Sequence, residues 1–220
     1  MGLSEIWTEY GGMYIQALLT TWKLTAISFT LGFALAILIT IFRVSPVKPL
    51  RVFGDFYVQV FRNIAGISLL IFLYYAFPYL GILLSEQTCV LIAVTLVGSA
   101  FGSENFMTGV NTIGVGQIEA ARSLGLTFTQ MIRLVIIPQA LRSAVLPMTN
   151  LLIAIMLTTS LGSQVPLDPH ELTGIVAYVT TRNSTAGLTA FILAALGYVG
   201  TALVIGYFGN RLDKKVRILR

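Results

Sequence analysis

The stretch GQIEAARSLGLTFTQMIRLVIIPQA, residues 116–140, predicts two short helices separated by a glycine. The first helix is predicted over residues 117–124, with Glu119 in its first turn, where a carboxylate complements the helix dipole. Gly125 is predicted to end it, because glycine readily adopts the backbone conformation that closes many helix carboxyl ends. The first helix is therefore short and sharply bounded.

The second helix of this stretch begins with a recognisable start signal. Thr127 is followed three residues later by Gln130, which is the spacing of a capping box. Pro138 is predicted to end or kink the helix, because proline has no amide hydrogen to donate. The first helix, residues 117–124, is held at both ends and would therefore move as a rigid unit. The small side chains of Ala120 and Ala121 predict that this first helix docks closely against a partner.

The segments around this stretch are too apolar to face water. Of the 220 residues, 56% are hydrophobic and only 10% are charged, whereas soluble domains carry about 25% charged residues. A helix of about 20 apolar residues crosses the hydrocarbon core and satisfies its own backbone hydrogen bonds. Five spans are predicted, over residues 24–42, 63–85, 88–103, 143–165 and 186–209. The predicted fold is an all-α membrane protein of five transmembrane helices, with one domain over residues 1–220.

The positions of the basic residues predict the orientation of these spans. Of the 14 Lys and Arg residues, all but Lys23 and Arg182 fall on one side of the five spans. Cytoplasmic loops carry an excess of such residues, so the amino terminus is predicted outside and the carboxyl terminus in the cytoplasm. The long loop over residues 104–142 then lies inside. The basic end, residues 211–220, is predicted to lie at the anionic lipid surface.

Several segments of the chain resemble one known family, the permease subunits of binding-protein-dependent ABC importers. The matching segments are EAA at 119–121, LG at 124–125, IPQA at 137–140, PLRVFGDFYVQVFRN at 49–63 and TSL at 159–161. The first three resemble the family's cytoplasmic EAA loop, and the last two are similar to its polar amino acid branch of histidine, glutamine and glutamate type. The resemblance covers about residues 18–212, and it implies the type I importer permease fold.

The resemblance also implies a function and a set of partners. Two permease subunits, either two copies or sister chains, form one pathway across the lipid bilayer. A cytoplasmic ATPase dimer drives it, and an extracytoplasmic solute-binding protein delivers the substrate. The implied location is the plasma membrane of a prokaryote. Coupling to the ATPase is then expected to fall to Glu119, Ala120, Ala121, Arg122, Leu124 and Gly125.

The chain lacks the motifs that would let it hydrolyse ATP itself. It contains no Gly-x-x-x-x-Gly-Lys-Ser/Thr phosphate loop, so we expect ATP and Mg²⁺ to bind to the partner ATPase. No catalytic constellation, cofactor motif or metal-ligand cluster is visible, and Cys89 stands alone in an apolar run. Nucleic acid is not an expected partner, because no motif for it is present.

The fourth predicted span departs from the branch at a position that bears on the substrate. The branch commonly carries Lys-Asp or Lys-Asn before Thr-Ser-Leu, whereas Leu157 and Thr158 stand there in this chain. The missing charge favours glutamate, glutamine or a neutral polar amino acid over arginine or lysine. The polar groups left to line the substrate pathway are Asn150, Thr158, Thr159 and Ser160. A permease subunit that does not bind substrate, paired with a sister subunit that does, would lack the same charged residue.

Other readings of the chain stay open at this point. It could be a permease half for a cationic or other small polar solute. A secondary transporter would need no ATPase, although such proteins usually show repeated halves, and no internal repeat is visible here. A structural membrane subunit would use the inner loop only for docking. Co-purification with an ATPase distinguishes the importer from these alternatives.

Three local features carry further expectations. After Arg62 the branch usually has a Gly-Thr-Pro turn, and although this chain has NIAG at 63–66, a bend is still expected there. Glu104 and Arg142 flank the inner loop and are predicted to pair with each other. His170, the single histidine, lies in the predicted outer loop and is expected to be an ordinary surface residue.

Overall fold

The computed structural model describes residues 2–216, and ten α-helices make up most of that range. They are α1 (Leu3–Val44), α2 (Lys48–Asn63), α3 (Gly66–Ile71), α4 (Glu86–Asn111), α5 (Val115–Ser123), α6 (Phe128–Met131), α7 (Ile137–Ser143), α8 (Val145–Thr158), α9 (Leu172–Arg182) and α10 (Gly187–Val216). Arg217 and Arg220, two of the basic residues that predict the orientation, lie outside the described residues.

The described helices include four that are long and apolar enough to cross a membrane. These are Ser4–Val44, Glu86–Asn111, Val145–Gln164 and Ser184–Val216. A fifth crossing is possible through the pair Lys48–Asn63 and Gly66–Leu80, which bend by 97° relative to each other. The structure therefore has the predicted all-α class and four or five candidate spans.

The first helix is much longer than the predicted span over residues 24–42. Helix α1 has 42 residues, and its amino-terminal half buries Ile6, Tyr10 and Tyr14 in an apolar cluster with α9 and α10. The Tyr14 hydroxyl donates a hydrogen bond to the Ala190 carbonyl at 3.0 Å. A count of apolar residues missed this half because only one face of it is buried.

The second predicted span, residues 63–85, is broken rather than continuous. Helix α2 ends at Asn63, the backbone of Ile64 and Ala65 is extended, and α3 starts at Gly66 in a new direction. The bend expected after Arg62 is confirmed by the 97° angle. Beyond α3 the chain forms a π-helical turn, Phe72–Ala76, and a 3₁₀ turn, Phe77–Leu80. Gly81, with a φ of +78°, then changes the direction of the chain.

Helix α4 is the central element of the packing, and at 26 residues it is longer than the short span predicted over residues 88–103. Two of its glycines allow close neighbours. A Cβ on Gly98 would lie 2.9 Å from the Ile155 side chain of α8, and one on Gly102 would lie 2.8 Å from the Ala36 side chain of α1. Two glycines with three residues between them, as Gly98 and Gly102 have, are typical of tightly packed helices in membranes.

Candidate functional site

The first short helix of the inner loop forms and ends as the sequence predicts. Helix α5 covers Val115–Ser123, and Gly125 follows with a φ of +74°. The Gly125 amide donates to the Arg122 carbonyl at 2.9 Å, and the Leu126 amide donates to the Ala121 carbonyl at 3.2 Å. These two bonds define a Schellman motif, which fixes the end of the helix through backbone contacts alone.

The second helix begins at the predicted cap. The Thr127 hydroxyl accepts a hydrogen bond from the Gln130 amide, and the Gln130 side chain accepts one from the Thr127 amide at 2.8 Å. Pro138 does not end this helix. The chain stays helical from Phe128 to Ser143, and the π-helical turn Ile132–Ile136 precedes the proline. This widened turn accommodates a residue that cannot donate a backbone hydrogen bond.

The two alanines predicted to dock on a partner face in different directions. Ala121 is buried, with 4% of its surface exposed, and it packs with Met131 and Ile132 of its own loop. Ala120 is exposed, as are its neighbours Glu119 and Leu124. Only Ala120 is therefore available to a partner, and Ala121 anchors α5 to the rest of the loop. A small side chain suits tight packing within the chain as well as docking on a partner, and the coupling role of Ala121 stays a prediction.

The apolar cluster beneath α5 connects it to the carboxyl-terminal ends of α1 and α4. Its buried members are Ile113, Ala121, Met131, Ile132 and Ile136, and the partly buried residues packed against it include Ile41 and Val44 of α1 and Val110 of α4. The Gln139 side chain also donates to the Gln117 side chain at 2.8 Å, which ties α7 to α5. A displacement of α5 would therefore be transmitted directly to α1 and α4.

The four polar residues proposed for the substrate pathway do not share one environment. Asn150 is exposed, whereas Thr158 and Ser160 are half-buried. Thr159 is fully buried, and its hydroxyl donates to the Met156 carbonyl at 2.7 Å. Thr159 points into the protein, whereas Asn150, Thr158 and Ser160 keep some exposed surface, and the role of these residues in a substrate pathway stays a prediction.

Glu104 does not pair with Arg142, contrary to the prediction. Its carboxylate lies 3.0 Å from Nη2 of Arg43 and 3.4 Å from Nη1 of Arg62. Arg43 also donates through Nε to Asp55 at 2.9 Å. Glu104 thus links α4 to α1 and α2, while Arg142 is exposed on α7. No local pattern predicts these pairs, because Arg62 and Arg43 are 42 and 61 residues away from Glu104 along the chain.

On the opposite side of the molecule, Glu171 is a fully buried carboxylate that the sequence did not single out. It caps the amino terminus of α9, accepting hydrogen bonds from the Gly174 amide at 2.7 Å and the Thr173 amide at 2.6 Å. The Tyr198 hydroxyl of α10 donates to it at 3.0 Å. Burial raises the pKa of the Glu171 carboxyl, and these hydrogen bonds oppose part of that rise. The only available signal was an acidic residue directly before a helical run.

A cavity of about 500 Å³ lies beside α9. His170, Tyr178 and Arg182 line part of it, with the His170 ring centroid 5.2 Å from that of Tyr178 and the Arg182 guanidinium 4.4 Å above the Tyr178 ring. Within the described residues, no three side chains of His, Cys, Asp or Glu gather closely enough to hold a metal ion. Ser163, Gln164 and the buried Glu171 also line the cavity, so it combines aromatic, neutral polar and charged groups.

Comparison with known proteins gives the family context of this geometry. A family model described as the inner membrane component of binding-protein-dependent transport systems matches residues 28–218. The matched region includes the inner loop and every long helix except the amino-terminal part of α1.

Individual relatives and one solved structure are also similar. The glutamate transport system permease protein GluC of Corynebacterium efficiens is 29% identical, over 98% of this chain and 99% of its own. The L-cystine transport system permease protein TcyB of Bacillus subtilis is 32% identical, over 94% of this chain and 87% of its own. A crystal structure of an amino acid ABC transporter with histidines aligns with a TM-score of 0.88 at 24% identity, covering 98% of this chain and 99% of that chain.

Proposed function

Because this chain belongs to the family of binding-protein-dependent transport system inner membrane components, we propose that it moves glutamate, glutamine or a similar polar amino acid into the cytoplasm. Its relatives are permeases of ATP-driven amino acid importers, and the chain fits that role. The observation that carries the proposal is the inner loop, in which a rigid, exposed helix stands on an apolar cluster connected to the membrane helices.

The working cycle follows from that arrangement. A cytoplasmic ATPase dimer contacts the exposed side of α5, at Glu119, Ala120, Arg122 and Leu124, while Ala121 and Gly125 keep α5 in position. Closure of the ATPase around ATP and Mg²⁺ displaces α5, and the cluster beneath it carries the displacement to α1 and α4. The pathway then switches between outward-facing and inward-facing states, as a two-state element biased from a distance.

The remaining parts of the assembly complete this proposal. The amino terminus lies outside and the carboxyl terminus in the cytoplasm of a prokaryotic cell, with the chain as a single permease domain in the plasma membrane. A second permease subunit, either a copy or a sister chain, forms the other half of the pathway. An extracytoplasmic solute-binding protein delivers the amino acid to the outer side, where α9 and its cavity lie.

Two observations support an acidic or neutral amino acid over a cationic one. Leu157 and Thr158 place no carboxylate in the fourth span to attract a positive side chain. The outer cavity also presents Arg182 and His170, whereas the Glu171 carboxylate is fully buried and already accepts three hydrogen bonds. The Arg182 guanidinium, which is exposed at this entrance, favours anionic over cationic solutes.

Uptake into vesicles tests this proposal. The complete transporter, with its ATPase and binding protein, is reconstituted in lipid vesicles and supplied with labelled glutamate and a panel of unlabelled amino acids. ATP-dependent uptake of glutamate, inhibited by glutamine but not by arginine or lysine, is the expected result. Uptake of a cationic amino acid alone would overturn the substrate assignment. Uptake that persists without the ATPase would overturn the importer assignment.

A further inference from the structure

Helix α2 has an exposed polar stripe in addition to its packed and apolar faces. Asp55, Gln59, Arg62 and Asn63 are spaced so that they lie on one side of the helix, and all four are exposed in the described structure. Gly54 and Val58 are buried against the rest of the protein. Phe53 and Val60 are exposed on a third, apolar face, while the exposed Val52 and Phe56 border the polar stripe.

This helix packs along the membrane-spanning helices instead of lying flat against their ends. The Tyr57 hydroxyl is 2.7 Å from the Ser99 hydroxyl, and Ser99 lies at the middle of the 26-residue α4. Gly54 approaches the end of α1 so closely that a Cβ there would lie 3.3 Å from the Ile39 carbonyl oxygen. The polar stripe therefore extends from the inner end of the bundle to about its mid-depth.

The two arginines that contact Glu104, Arg43 and Arg62, are fixed in position to different degrees. Glu104 of α4 bridges two arginines, of which Arg43 has only 13% of its side chain exposed and also pairs with Asp55. Arg62 has 42% of its side chain exposed, and its contact to Glu104 is longer, at 3.4 Å. Its guanidinium also lies 5.6 Å from the centre of the exposed Phe101 ring. Arg43 is thus fixed in place, whereas Arg62 can exchange Glu104 for another carboxylate.

Lipid cannot be the environment of this face. Helix α4 is about 39 Å long at 1.5 Å per residue, so Glu104, about 10 Å from its inner end, lies inside the ~30 Å hydrocarbon core if the helix is centred. Charged side chains at that depth almost always face water or protein. The stripe also ends beside the candidate pathway of the fourth span, because a Cβ on Gly66 would lie 3.2 Å from the Leu161 side chain.

We propose that the stripe of Asp55, Gln59, Arg62 and Asn63 forms a wall of the inner, water-filled half of the substrate pathway, and that Arg62 binds the carboxylate of the passing amino acid. This inference rests on the proposed transport function and its orientation. The amides of Gln59 and Asn63 supply neutral hydrogen-bonding groups next to the guanidinium. A zwitterionic amino acid matches such a surface, since its α-carboxylate can take the place of Glu104 at Arg62.

Thiol labelling tests whether the stripe faces water. In a Cys89→Ala parent, which lacks the single native cysteine, Gln59→Cys and the matched control Val60→Cys place one thiol on the polar stripe or on the apolar third face of the same helix, at nearly the same depth. The complete transporter in vesicles is treated from the ATPase side with a charged, membrane-impermeant thiol reagent. We expect Gln59→Cys to react at least about tenfold faster than Val60→Cys, with glutamate slowing the reaction.

Two outcomes of the labelling would overturn the inference. Equal reactivity at both positions would place α2 at the membrane surface, and a Gln59→Cys thiol that does not react even without glutamate would mean that the second permease subunit covers the stripe. Uptake by the Cys89→Ala parent separates these results from a failure of the proposed function. If the parent imports the amino acid but the thiol of Gln59→Cys does not react, only the assignment of the stripe to the pathway wall is refuted. A parent assembled with its ATPase that imports no amino acid refutes the transport function itself.

A substitution of Arg62 tests the binding role. Arg62→Gln is expected to raise the KM for amino acid uptake by about tenfold or more, because a charge-assisted hydrogen bond to the substrate is lost. Arg142→Gln, which removes the same charge from an exposed position on α7, should leave the KM unchanged. Arg62→Lys, which keeps the charge, should restore part of the affinity. An equal KM in Arg62→Gln and Arg142→Gln would contradict the role of Arg62.

Discussion

Helices α5 and α9 are both short, with 9 and 11 residues, and both lie outside the long apolar spans, yet their ends are fixed by different means. The carboxyl end of α5 is closed by backbone hydrogen bonds around Gly125, and most of its polar side chains are exposed. The amino terminus of α9, by contrast, is capped by the fully buried side chain of Glu171, which also accepts a hydrogen bond from the Tyr198 hydroxyl of α10.

This difference suits two tasks. A helix capped by its own backbone keeps its shape while its outer surface is free to bind and follow a moving partner. A helix capped by a buried carboxylate is fastened to the long helices beside it, because Glu171 and the Thr21 hydroxyl, which accepts from the Leu172 amide at 3.2 Å, join α9 to α10 and α1. We therefore expect changes in α5 to affect coupling, and changes at the start of α9 to affect stability.

The largest effect is expected from Gly125→Pro. The φ of +74° is out of reach of proline, and the substitution also removes the amide that donates to the Arg122 carbonyl, at a combined cost of about 3 kcal/mol or more. Transport per ATP hydrolysed should fall strongly while membrane insertion is kept. Gly125→Asn is the matched control, because asparagine tolerates this conformation and no atom outside the adjoining residues lies within 4 Å of the added Cβ. Equal loss of coupling in both variants would contradict this explanation.

Glu171→Ala is expected to destabilise the protein by about 2–3 kcal/mol. The substitution leaves the amides of Thr173 and Gly174 and the Tyr198 hydroxyl without their acceptor in a buried place. Thermal unfolding of the purified transporter should shift by roughly 5–10 °C. Glu171→Gln retains an acceptor oxygen and should lose less. A variant with unchanged unfolding but lower ATPase activity would assign Glu171 to coupling instead of to stability.

Replacing Ala120 and Ala121 of α5 in turn by glutamate should distinguish the residue that anchors α5 to its own loop from the residue that contacts the ATPase. Ala121→Glu brings a charge into the apolar cluster with Met131 and Ile132, and it should lower the stability of the loop by roughly 1–3 kcal/mol. Ala120→Glu lies on the exposed side and should leave unfolding unchanged while weakening co-purification with the ATPase. Limited proteolysis of the loop measures the first effect. The same proteolysis pattern in both variants would mean that the two alanines are equivalent.

The smallest effect concerns pH. The folded protein holds the Glu171 proton more tightly than the unfolded chain, since burial raises the pKa of this carboxyl. The protonated form is therefore favoured by folding, so this group adds stability at low pH, and the addition is lost as pH rises from the ordinary carboxyl value through the raised one. As pH is lowered from 7 to the ordinary carboxyl pKa of 4.5, the wild type should gain stability relative to Glu171→Gln. An unchanged difference in unfolding temperature across that range would contradict the raised pKa.

The sequence predicted the features that depend on neighbouring residues. The end of α5 at Gly125, the capping box of Thr127 and Gln130, and the bend after Arg62 are all present. Each is decided within about four residues by backbone conformation or a local hydrogen bond, and such signals can be read without knowledge of the fold.

The features that depend on distant contacts were missed or assigned wrongly. Glu104 binds Arg43 and Arg62 because α2 folds back along α4, which no local pattern reveals. The direction of Ala121 and the burial of Glu171 likewise depend on which elements pack against them. The length of α1 was underestimated because half of it is buried on one face only, against α9 and α10.

The most direct test of the central claim is ATP hydrolysis by the reconstituted transporter in the presence of substrate-loaded binding protein. We predict that glutamate stimulates hydrolysis in the wild type, and that Ala120→Glu abolishes this stimulation without altering thermal unfolding. Stimulation that is the same in the wild type and in Ala120→Glu would contradict the assignment of α5 as the element that couples the permease to its ATPase.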